Sequence, residues 1–235
     1  MTDPETRGLE ARWRETGHVE DEAAWLQARV RAGELEASRL EIAAALGHPA
    51  ALAALGPGEA ERLGAGARLR RLFFAPPAET AWRAGLEARV RVAVALARAA
   101  FQVAPNRDLE LRAAVEGALG ATERWILCRC ERHSGEAGDA AAHLAELLVN
   151  ALEAEGEETT QWASAAFLAV CSVLQPEAAL ASDCLAASVA ARAAARGGAK
   201  DLAMAEVELA LAAELVPWAL GRGDAVLDRR AAERR

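Results

Sequence analysis

The sequence contains no tyrosine and only four phenylalanines, and its β-branched residues are thin, so the side chains that build strands are scarce. Lysine is almost missing too. Lys200 is the only one, and arginine carries the rest of the positive charge, a bias of GC-rich coding more than of chemistry. No apolar stretch follows a basic start within residues 1–10, so no secretory signal is expected and the expected location is the cytoplasm. The one long charge-free run, 159–176, has an apolar heart at 162–174 that is too short to span a bilayer, and membrane insertion is not expected. Cysteine is sparse: Cys128, Cys130, Cys171 and Cys184 belong to a chain large enough to bury a core, and reduced thiols are expected. Catalytic signatures are missing as well. There is no Gly-x-x-x-x-Gly-Lys, no Gly-x-Ser-x-Gly, no His-Glu-x-x-His and no Gly-x-Gly-x-x-Gly after a strand.

What remains is alanine, leucine, glutamate and arginine, the strongest helix formers, which predicts an all-α fold. The net charge of −8 argues against a nucleic-acid binder, which needs a basic surface to release counterions. Basic spots occur at Arg68, Arg70 and Arg71, beside Phe73 and Phe74, and in a tail at 229–235.

Turn residues divide the chain into an N-terminal helical subdomain at 1–56, a linker helix at 57–77, an alanine-rich helical bundle at 78–220 and a disordered tail at 221–235. Within the subdomain, helices are expected from Pro4 to before Gly17, from about Glu20 to Ala32, from Glu36 to Leu46 and in a short turn to Leu55. A core helix at 79–103 carries Leu86, Val90, Val94, Ala97 and Phe101 at helical spacing. Asp108 should cap a helix reaching Arg132, with a kink or break at Gly120, and Ser134-Gly135 should separate it from a helix at 136–155. Three more are expected at 160–174, 177–196 and 200–216, the last stopped by Pro217. The helix beginning near Trp162 is apolar all round and is expected at the centre of the bundle.

Two clusters could carry chemistry. Cys128, Cys130 and His133 are zinc-type ligands, but on a continuous helix the two cysteines project about 200° apart and could share an ion only if the helix unwinds there. Glu136, Asp139, His143, Glu146 and Asn150 form a polar stripe opposite Ala140, Ala141, Leu144, Leu147, Leu148 and Ala151, the alternation of an ordinary surface helix. Neither compels a site, so no catalytic residue, metal or organic cofactor is expected. Arg222-Gly223-Asp224 matches an adhesion tripeptide and reads as a loop. Six tryptophans, at 13, 25, 82, 125, 162 and 218, are more suggestive, because Trp and Arg dominate interface hot spots. Most should be core. Trp13, between Arg12 and Arg14, is the first expected to be partly exposed.

The stretch Asp108-Leu-Glu-Leu-Arg112-Ala-Ala114-Val115-Glu116-Gly-Ala118 resembles Asp-x-x-x-Arg-x-Ala-Ile-Glu-x-Ala in an immunity-protein domain of bacterial polymorphic toxin systems. Trp25-Leu26 and the segment 40–48 resemble a motif that precedes such helices in alanine-rich bacterial proteins. The resemblance implies a noncatalytic helical protein that binds another protein, with toxin neutralisation as one form. The rival reading is an enzyme or metal-binding bundle with its polar site around Glu136, Asp139 and His143. Self-association is left open.

Overall fold

The computed structural model describes residues 4–58, 61, 85–102, 108–155, 157–175 and 200–223, together with 177–179, 181, 182, 185, 186, 188 and 189. All regular structure among these is helical: α1 (Pro4–Thr16), α2 (Val19–Arg31), α3 (Ala37–Ala45), α4 (Pro49–Leu55), α5 (Gly85–Gln102), α6 (Leu109–Cys128), α7 (Glu131–Glu155), α8 (Glu157–Cys171) and α9 (Lys200–Ala219). The all-α reading is therefore correct. No described helix is long and apolar enough to cross a membrane. The linker helix at 57–77, beyond residues 57, 58 and 61, lies outside the described residues, with Arg68, Arg70, Arg71, Phe73 and Phe74. So do Trp82, Cys184 and the tail beyond residue 223.

The chain forms two compact units: Met1–Ala84 with Leu215–Asp224, and Gly85–Glu214 with Ala225–Arg235. In the first, α2 packs on α1 and α4, and α4 packs on α3. Leu26, Leu40, Ala43 and Ala50 form its interior, and Trp218 and Leu220 add to it from the far end of the sequence. Arg29 donates to the Leu220 carbonyl at 2.6 Å and Arg39 donates to the Trp218 carbonyl. Glycines end α2 and α3 as their φ requires: Gly33 at 71° and Gly47 at 83°. Pro217 does not stop α9, which runs on to Ala219: the proline forfeits a single hydrogen bond, to the Ala213 carbonyl, and the burial of Trp218 and Ala219 outweighs that loss.

His48 caps α4, its Nδ1 accepting from the Ala51 N–H at 3.3 Å, with Pro49 at the first helical position. Burial pulls its pKa below the ordinary 6.5 and Arg222 adds to this, against the opposing pull of Glu22. Between that lowered value and 6.5 the unfolded chain binds the proton that the folded chain refuses, so stability falls as pH drops through this window. His48→Asn keeps a capping acceptor without the titration. Its melting temperature should depend less on pH than that of wild type across this window, and parallel curves for the two proteins would show that His48 is not the cause.

In the second unit α5, α6, α7 and α8 pack on one another, α8 touching the other three. The helix buried on all sides is α5 and not α8. Residues 90–100 are buried without a break, whereas Ser164, Phe167 and Leu168 of α8 are half-buried and Leu174 beyond it is exposed. The burial of α5 takes in Arg91 and Arg98. Arg98 is 8% exposed and forms a two-pronged pair with Glu123, 2% exposed, at 2.5 and 3.0 Å. Gly120 neither kinks nor breaks α6, because tertiary packing on α5, α7 and α8 outweighs its low propensity. Thr122 does not cap a second piece but bonds back to the Ala118 carbonyl at 3.1 Å. The break comes later, at Arg129, and α7 begins at Glu131 with Ser134 and Gly135 inside it.

Candidate functional site

In the first unit, Thr6, Glu10, Trp13 and Arg14 of α1, Trp25 and Arg29 of α2, Glu34, Gly221 and Arg222 line a cavity of about 470 Å³. Successive turns of α1 bring Thr6, Glu10 and Trp13 to one side, and α2 lays Trp25 against them so that the two indoles stack, centroids 4.8 Å apart and planes 13° from parallel. Two guanidiniums cover the indoles. Arg29 stands 4.9 Å from the Trp25 centroid, and Arg222 stands 4.7 Å from Trp13 and 5.8 Å from Trp25. Arg222 also pairs with Glu22, and Arg14 with Glu10 at 2.7 Å. Burial lowers the pKa of Arg29, against the opposing charge of Glu34.

Two polar atoms of this wall lack hydrogen-bond partners: Thr6 Oγ1, on a residue 1% exposed, and Trp25 Nε1, on a residue 6% exposed. A buried donor left unmade costs about 1–3 kcal/mol. Trp13 is half-buried, as its charged neighbours predict, while Trp25, Trp125, Trp162 and Trp218 are buried. Arg222, read in the sequence as part of a loop tripeptide, belongs to this wall. No sequence signal pointed to it, because it reaches the indoles from some 200 positions away.

In the second unit the two sequence clusters fare differently. Glu136 is held by Arg124 at 3.2 Å and Arg132 at 3.0 Å. Desolvation pushes its carboxyl up, but hydrogen bonds from the two arginines outweigh this and keep it below its usual range. That makes it a fixed carboxylate and a poor general acid. Asp139, His143, Glu146 and Asn150 lie exposed along α7, and among the described residues this stripe forms no group of metal-type ligands.

Cys128, Cys130 and His133 do converge, their ligand atoms all within 4.8 Å of one another. Cys130 Sγ lies 3.3 Å from His133 Nδ1. The thiol hydrogen bond between the cysteines pulls Cys130 down and pushes Cys128 up. The expectation of an unbroken helix through these cysteines is thus corrected: α6 ends between them. Cys171 is half-buried, and its burial raises its thiol.

The residues that carry the immunity-domain resemblance have structural places here. Asp108 caps α6 by accepting from the Leu111 N–H at 2.9 Å, Arg112 lies over Phe101, Val115 and Ala118 are buried, and Glu116 is exposed. No family model, curated protein or solved structure matches this chain.

Proposed function

We propose that this chain is a noncatalytic binding protein of the cytoplasm that holds another protein through the Trp13–Trp25 cavity, with toxin neutralisation as one specific form. One observation carries the reading: an open cavity is walled by stacked tryptophans and arginines, the residue types of interface hot spots. The volume of about 470 Å³ suits one or two side chains of a partner. The toxin-neutralising form rests on the resemblance at 108–118.

Affinity capture with the full chain, run beside Trp13→Ala, tests the reading. Wild type should hold a protein that the variant binds at least roughly 30-fold more weakly, the ~2 kcal/mol of a hot-spot tryptophan. In the toxin form, that protein expressed alone arrests growth and co-expression of this chain restores it. Capture that is indifferent to Trp13→Ala, together with a small molecule that raises the melting temperature by several degrees, would defeat the proposal.

A further inference from the structure

Cysteines two positions apart on a helix cannot share a ligand, and here the backbone removes that obstacle. α6 ends at Cys128, Arg129 turns left-handed at φ 52°, and α7 starts at Glu131. Such a φ is uncommon outside glycine. Arg129 is strapped in place by Glu87 of α5 at 2.8 Å, and Arg91 braces that carboxylate from its other oxygen at 2.9 Å. The turn therefore holds Cys128 beside Cys130, and the first turn of α7 brings His133 to the same point.

Two thiolates and an imidazole are a borderline-soft set that suits tetrahedral zinc. Ligands at about 2.3 Å (sulfur) and 2.0 Å (nitrogen) from such an ion stand roughly 3.5–3.8 Å apart. The Cys130–His133 contact of 3.3 Å is already near that spacing, and the 4.8 Å limit on the whole set is within reach of side-chain rotation. Two thiolates neutralise the ion's charge. The nearest cations, Arg129 and Arg132, have carboxylate partners in Glu87 and Glu136. Among the described residues no fourth histidine, cysteine or carboxylate joins the group. We propose that Cys128, Cys130 and His133 bind one zinc ion as three protein ligands, leaving a fourth position for water or a ligand from outside. This site stands independently of the cavity in the first unit.

The test is cobalt(II) titration of the untagged full chain, stripped of metal and kept reduced with a non-thiol reductant. A thiolate-to-cobalt charge-transfer band should rise and saturate at one equivalent, and zinc should displace it. Cys128 is exposed, so Cys128→Ser removes a ligand without opening the core. Cys128→Ser and Cys130→Ser should each weaken binding at least about 100-fold, beyond the loss typical of outer-shell changes. His133→Ala should keep a sulfur band but bind more weakly, and Cys171→Ser should match wild type. Absence of the band in wild type at stoichiometric cobalt overturns the proposal, as does a band that survives both cysteine substitutions.

Discussion

Arg98→Ala should destabilise the second unit by roughly 3–5 kcal/mol, the cost of leaving Glu123 buried without its partner. The magnitude follows from burial. Both side chains are over nine-tenths buried, so water can neither screen the pair nor hydrate the orphaned carboxylate. Replacing both residues together, Arg98→Met with Glu123→Leu, removes two desolvation penalties along with one attraction and should restore most of the stability. Urea unfolding followed by far-ultraviolet circular dichroism measures both, since urea leaves ionic strength unchanged. A loss below about 1 kcal/mol in Arg98→Ala would show that the pair is hydrated in solution.

Trp162→Ala should cost about 3–5 kcal/mol, the range for removing a buried tryptophan. Trp162 is buried between helices, its ring 5.8 Å from Phe101 of α5 and tilted by 47°, while Arg112 of α6 lies 4.3 Å from the Phe101 centroid and 5.7 Å from that of Trp162. One substitution empties a contact shared by three helices. Trp162→Phe keeps an aromatic ring on Phe101 and should lose less. Equal losses for the two variants would mean that ring packing at this junction contributes little.

Helix identity was legible because it depends on local rules: composition, glycine after the last turn, aspartate before the first. Pro4, Gly17, Gly33 and Asp108 mark ends where the helices do begin or stop. The errors fall where distant residues decide. The end of α6 lies at an arginine, a residue with no preference for left-handed backbone, and its ion-pair partner there is Glu87, 42 positions earlier. Nothing in the sequence marks the buried pair of Arg98 with Glu123, because the two lie 25 positions apart. The cavity was half legible. Trp13 stood out by its charged neighbours, but its stacking on Trp25 and the arrival of Arg222 depend on tertiary packing. The chemistry of Cys128, Cys130 and His133 was visible in the sequence, and only the turn between the cysteines was hidden.

The first unit is sewn from two segments far apart in the sequence. Residues 4–58 supply α1 to α4, yet the carbonyls to which Arg29 and Arg39 donate, and the guanidinium that covers Trp13, arrive with Trp218, Leu220 and Arg222. On a ribosome adding ~5–20 residues per second, the early helices wait on the order of ten seconds for that closing segment. During the wait the indoles lack the Arg222 cover and the tunnel still shields the chain's newest residues. The Trp13–Trp25 cavity therefore closes only once Arg222 has emerged, and a ribosome that stalls in the second unit releases a chain without it.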